Sequence, residues 1–349
     1  MSPPSFGFRS FACACVVVAV ARVGAIRAEQ LAWELSGGAT RSELDPVLDT
    51  DRWSLTAVHY FDPVDDTLGP HALASFLDPA TQLSARVGHE KRTTHPLGPP
   101  PPTGPTELVT ETQDYSIGGR YLLPKSRWYF GGDYEETDFD PPSLTVRDVD
   151  GDSYGALAGK YFGSTTSLEL ALRSTERRSV QDIQFCVITF CATVAEAEAE
   201  VDTDDVSLAV LHVRRFGSLT YSLSGRVAET SGKAVSRFPA IDLSQVSLPP
   251  IFGPPPMAVI PATTFELDTP DFMTYSIGGE LFPTAKLGVR LGYTMWDDDG
   301  PADEAYDVAA TWFFRRNIGL QFLLSRQRPD GDALVEDTDS AAIRAIGRL

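Results

Sequence analysis

The sequence predicts an all-β chain whose antiparallel strands, about fourteen of them with twelve or sixteen as the alternative counts, close into an up-and-down transmembrane barrel. Three observations carry this. Apolar and polar side chains alternate through many segments of about ten residues, with helical periodicity nearly absent. Short and long connections interleave strictly. The face opposite the apolar one mixes small and charged residues, which suits a wet interior better than a protein core.

The strands read as 53–61, 71–77, 82–90, 113–123, 126–136, 152–161, 167–177, 204–215, 218–229, 271–282, 286–296, 304–315, 317–327 and 340–349. In 286–296, Leu287, Val289, Leu291, Tyr293 and Met295 share one face while Gly288, Arg290, Gly292 and Thr294 share the other. The same split runs through 168–175 and 219–228. Short connections fall at 77–81, 123–126, 162–166, 215–218, 282–286 and 314–317, three of them carrying Pro near a strand end, where a lost amide hydrogen is tolerated. Long ones, rich in Asp, Pro and Gly, fall at 62–70, 91–112, 137–151, 178–203, 230–270, 297–303 and 328–339. Lipid cannot satisfy an open strand edge, so a spanning sheet has to close on itself.

Ahead of the strands, residues 1–28 read as a secretory signal peptide: Arg9, then the apolar run Phe11 to Ala21, then small residues at Ala25 and Ala28. Cleavage after Ala25 or after Ala28 fits equally. Segment 29–52 reads as a periplasmic leader or an extra strand, and 53–349 as the barrel. Cys13 and Cys15 leave with the signal. Cys186 and Cys191 remain as one close pair, which an exported protein most simply closes into a disulfide, in preference to a metal pair lacking further ligands. A net charge of −19 argues against a nucleic-acid partner, which needs a basic footprint.

With signal, alternation and interleaved connections in view, the chain resembles Gram-negative outer-membrane β-barrels of the porin type over residues 53–349. The resemblance implies short periplasmic turns and long extracellular loops. It also implies contact with outer-membrane lipids and lipopolysaccharide, recognition of the last strand by the barrel-assembly machinery, and the open alternative of a homotrimer. Residues 340–349 alternate as a closing strand should, although they end on Leu349 where such barrels usually carry an aromatic residue. Trp128 and Trp312 sit on the apolar parity near short turns, as girdle residues do.

The candidate functional residues are the charges on the inward parity: Arg86, Arg120, Arg127, Arg173, Arg226, Lys286, Arg290 and Arg344 against Asp133, Glu135, Glu169, Glu280 and Asp307. Facing rows of opposite sign would set up a transverse field at a constriction; mutual pairing that keeps the lumen wet is the alternative. The pentapeptide YSIGG, at 115–119 and again at 275–279, marks a recurrent strand–turn–strand unit rather than a duplicated site, and it is followed by Arg120 in one copy and Glu280 in the other. Excess acid is assigned to outer loops, among them Asp62, Asp65, Asp66 and the runs 148–152, 202–205 and 297–299. The runs at 148–155 and 202–205 match the calcium-loop pattern poorly and read as solvated loop tips, with bridging of divalent ions to lipid headgroups as a minor alternative. Alternation at 194–205 reads as a strand rising above the membrane, and Pro-rich 230–270 as a loop able to fold into the lumen.

These readings favour passive diffusion of small hydrophilic solutes or ions through a charged lumen, with no cofactor. A plugged surface barrel of adhesin type is the alternative. A barrel hydrolase is disfavoured because His59, His89 and His212 take the apolar parity, His71 begins a strand and His95 lies in a loop.

Overall fold

The computed structural model describes residues 30–44, 48–95, 108–140, 146–187, 190–242, 259–297, 304–328 and 337–349. The signal segment, Cys13 and Cys15, most of both Pro-rich loops, and the tips at 45–47, 298–303 and 329–336 lie outside these residues.

Fourteen antiparallel strands form one closed barrel. They are β1 (Gln30–Leu44), β2 (Leu48–Asp65), β3 (Gln82–Thr94), β4 (Leu108–Leu122), β5 (Trp128–Asp140), β6 (Val146–Phe162), β7 (Thr166–Val187), β8 (Phe190–Phe216), β9 (Leu219–Phe238), β12 (Thr263–Thr284), β13 (Leu287–Trp296), β14 (Glu304–Arg315), β15 (Ile318–Arg328) and β16 (Thr338–Arg348). A small hairpin, β10 (Ile241–Asp242) with β11 (Val259–Ile260), stands apart between β9 and β12. Closure runs through β1 against β16, where Ser36 faces Ile346 and Glu34 faces Arg348. The last residue completes the seam: Trp33 and Leu349 exchange backbone hydrogen bonds at 2.9 and 2.8 Å.

The strand count agrees with the sequence, but one strand is replaced. The barrel begins at Gln30, so 30–44 supplies a wall strand, whereas 71–77 is not a strand. Residues His71–Leu73 form a 3-10 turn and Ala74–Leu77 a short helix, α1. The reason is local: Leu73, Phe76 and Leu77 recur at i, i+3 and i+4, a helical spacing, between Pro70 and Pro79. Several expected loops are also strand. β7 and β8 run on past the wall through 178–187 and 190–203, and β5 and β6 absorb most of 137–151, so the runs at 148–155 and 202–205 are paired strand rather than loop tips.

Alternation sorts the side chains as lipid demands. Leu168, Leu170, Leu172, Leu208, Val210, Leu223, Ile277, Leu291, Val308 and Leu324 are exposed on the outside. Near the short turns this belt is bordered by Trp33, Phe61, Tyr121, Trp128, Phe130, Phe162, Phe216, Trp312 and Phe314. Toward the other end it is bordered by Trp53, Tyr115, Tyr154, Tyr275 and Tyr306. An aliphatic belt between two aromatic girdles is the exterior of a membrane-spanning barrel. The turns are tight: Gly163 and Gly217 adopt φ of 66° and 61°, a left-handed conformation costly to residues with a Cβ.

Candidate functional site: the lumen and its floor

The inward face is built mainly of Ser, Thr and Gly, with charges set among them. Ser36, Ser153, Ser167, Ser207, Ser222 and Thr311 are buried on it. Ion pairs link strands that are adjacent or one strand apart rather than opposite walls. Arg173 on β7 binds Asp133 and, at 3.4 Å, Glu135, both on β5. Arg290 on β13 lies 3.5 Å from Asp307 on β14. Asp114 on β4 sits between Arg86 of β3 and Arg52 of β2, each 3.4 Å away.

A shared device seats three of these carboxylates. Asp133 lies over Gly155, Asp114 over Gly88 and Asp307 over Gly292, and in each case a Cβ on the glycine would overlap the carboxylate. Glycine on the adjacent strand therefore lets a charged group lie flat on the wall.

Near the short turns the wall becomes aromatic. The Arg120 guanidinium lies 5.3 Å above the Tyr129 ring and 6.0 Å from that of Tyr161, in cation–π range. Tyr129 donates to Glu169 at 3.1 Å. Glu280 is on the inward parity of β12 opposite Arg290, and Arg344 donates to Ser36 at 2.6 Å. Arg226 is exposed on the inward parity of β9. Arg127 and Lys286 depart from the rest, because both are exposed residues of short turns and not part of the strand wall.

The feature that sequence reasoning missed is the segment joining β2 to β3. It leaves from the short-turn end, so Asp62, Asp65 and Asp66 lie at that end and not at the outer mouth. The chain then folds into the barrel. Asp65 and Asp78 tie its base, the Asp65 amide donating to the Asp78 carboxylate at 2.7 Å. Asp66, with only 9% of its side chain exposed, accepts from Arg316 in the β14–β15 turn, at 2.7 Å from Nε and also from Nη2. The His71 amide donates to the Ala285 carbonyl in the β12–β13 turn at 2.9 Å. Its own carbonyl accepts from Arg348 of β16, which also donates to Glu34 at 2.9 Å and lies 4.8 Å from the Phe313 ring.

Leu73 packs with Val213 of β8 and Phe282 of β12. Phe76 reaches Tyr161 of β6 at 5.7 Å between ring centroids, and Ala74 and Ala80 pack with Leu31, Tyr60 and Val64. A segment that starts between β2 and β3 and touches β16, β14, β12, β8 and β6 crosses the mouth. Residues 66–77 form a floor.

His71 is therefore buried in this floor, with its ring 5.6 Å from Phe313 and Nδ1 3.8 Å from Asp66. Burial lowers its pKa below the usual 6.5, against the opposing pull of Asp66. His59 packs on Trp33 and Phe61, and His89 on Trp53, on the outer face.

Beyond the membrane, β7, β8 and β9 continue as an acidic wing. Glu198 pairs with Arg178 and Glu200 with Arg237, the latter at 2.7 Å. Cys186 and Cys191 face each other in register near its tip, where side chains lie outside the described residues. The hairpin β10–β11 occupies part of 230–270, and residues 243–258 lie outside the described residues.

No family model and no curated protein matches this sequence. Solved structures do match in shape. The outer membrane protein Omp33 of Acinetobacter baumannii superposes with a TM-score of 0.52 at 12% identity, over 92% of this chain and 99% of that one. The Ralstonia pickettii toluene transporter TbuX gives 0.56 at 11% identity, over 91% and 90%. A TodX deltaS2S3 mutant, a monoaromatic hydrocarbon channel, gives 0.51 at 10% identity, over 92% and 90%. The fold is that of outer-membrane channels.

Proposed function

We propose that this protein is a channel of the bacterial outer membrane for passive diffusion of small hydrophilic solutes, narrowed at its periplasmic mouth by residues 66–77. The observation that carries this is the inward face: Ser, Thr and Gly with flat, mutually paired charges, which favours water and polar solutes over hydrocarbon. Short turns place the floor on the periplasmic side, as in barrels generally. Pairing along one stretch of wall, of Arg173 with Asp133 and Glu135 and of Arg290 with Asp307, supports a wet, nearly neutral wall over opposed rows of charge. The lumen-facing set is Arg86, Arg120, Asp133, Glu169, Arg173, Arg226, Glu280, Arg290, Asp307 and Arg344. Arg127 and Lys286 act at the rim.

A second reading, a barrel held shut as a surface scaffold, is favoured by the many anchors of the floor. Swelling of proteoliposomes in isosmotic sugars and amino acids separates the two. Swelling that slows as solute size grows supports the channel. No swelling with any polar solute, from barrel shown to be folded, favours the scaffold; stimulated uptake of toluene in its place would favour a hydrocarbon route.

A further inference from the structure

The outside of the barrel carries a charge asymmetry that the channel reading does not use. The chain has a net charge of −19, yet the tight turns at 123–127, 163–165, 217–218, 285–286 and 316–317 contain no Asp or Glu, and four basic residues, Lys125, Arg127, Lys286 and Arg316; the acids of this end, Asp62, Asp65, Asp66 and Asp78, belong to the end of β2 and the segment that joins it to β3. Arg316 is committed to Asp66. Lys125 and Arg127 are exposed residues of the β4–β5 turn.

Lys160 stands beside them, on the lipid-facing side of β6. In register it is the partner of Trp128, and its ammonium lies 5.2 Å above the Trp128 ring and 5.5 Å from the Phe162 ring. The adjoining Tyr161 amide donates to the Arg127 carbonyl at 2.9 Å, which holds the turn against this part of β6. None of Lys125, Arg127 and Lys160 has an acidic partner among the described residues. An ammonium held at the aromatic girdle, where the bilayer begins, lays its stem along the apolar belt and turns its charge toward water or an anion of the headgroup layer.

The geometry points to a headgroup site: Lys160, Arg127 and Lys125 take the phosphate of an anionic phospholipid of the periplasmic leaflet, with Trp128 and Phe162 packing beside its glycerol and upper acyl chain. Charge complementarity selects the occupant. Two aromatic faces bias the site toward a ligand with an apolar body, and the unpaired cations require an anionic head. The site rests on the barrel standing in a membrane with its short turns toward the periplasm.

Native mass spectrometry of the refolded, detergent-solubilised barrel, titrated with phosphatidylglycerol and with phosphatidylcholine of the same acyl chains, tests it. The wild type binds phosphatidylglycerol more tightly. Lys160→Gln lowers that affinity about fivefold, the value for one cation near a membrane surface, and leaves phosphatidylcholine unchanged. Lys286→Gln, in a different short turn, leaves both unchanged. Equal binding of the two lipids by the wild type overturns the site, as does a folded Lys160→Gln barrel that holds phosphatidylglycerol like the wild type. Arg127→Gln provides the same readout if the Lys160 variant does not fold. Solute swelling is measured on the same preparations, so loss of the lipid site is distinguished from failure of the channel reading.

Discussion

Arg316 and Asp66, 250 positions apart in the chain, meet through two guanidinium nitrogens on one carboxylate oxygen and tie the floor to the β14–β15 turn. The Asp66 side chain is nearly buried, whereas that of Arg316 is 37% exposed, so solvent screens part of the pair. Removing the arginine strands a buried carboxylate, at a cost to docking of about 2 kcal/mol after that screening. Arg316→Met therefore raises the open fraction in single-channel records. Asp66→Asn does the same, and the double variant adds less than the sum. Traces indistinguishable from wild type for both single variants would show that the latch does not hold the floor.

Acid loosens the same floor. Burial holds His71 below its usual pKa of 6.5, so the docked floor prefers the neutral ring and the released floor binds more protons. Docking is at full strength above about pH 6.5 and weakens as the pH falls below it. Asp66 favours the charged ring, while Arg348 and Arg316 oppose it. Open fraction, recorded against pH on the periplasmic side, rises below about 6.5 in the wild type and is flatter in His71→Gln. A wild-type profile that closes on acidification contradicts the sign.

The inward charges act as pairs, so breaking one should shift selectivity in a defined direction. Arg173→Ala leaves Asp133 and Glu135 without their cation, and reversal potentials in a salt gradient move toward cation preference. Asp133→Asn with Glu135→Gln moves them toward anion preference. Unmoved potentials in both place the selective step elsewhere.

Much of this architecture was legible because lipid imposes a strict alternation. In each YSIGG copy, Tyr, Ile and the second Gly take the outward parity. Tyr115, Ile117, Tyr275 and Ile277 are indeed exposed there. Parity also places Ser116 and Gly118 inward, and the same count assigns Asp114, an inward residue that inspection of charges passed over. What misled was the stretch 71–77, read in pairs as a strand. Its 73, 76, 77 spacing is helical, but a floor is defined by contacts with Arg316, Arg348, Phe282 and Tyr161, far away in sequence. Segment 30–44 was hard to place for another reason: Gly37 and Ala39 interrupt its apolar face, so its strand character comes from pairing with β2 and β16.

At the tip of the acidic wing, register sets Cys186 opposite Cys191. We predict that they form a disulfide. Protein purified without reductant resists thiol alkylation until reduced, and reduction weakens the hairpin tip by about 2 kcal/mol, as expected for a short loop. Its proteolysis should quicken while the heat-modified gel mobility of the barrel is unchanged. Two readily alkylated thiols in native protein would contradict this.

The central claim is that a polar lumen is narrowed by one movable segment, and single-channel conductance of a barrel in which residues 67–77 are replaced by a short Gly-Ser linker tests it most directly. The account predicts a several-fold larger and steadier conductance than the wild type, with the folded barrel confirmed by heat-modifiable mobility. Equal conductance from two folded barrels would contradict it.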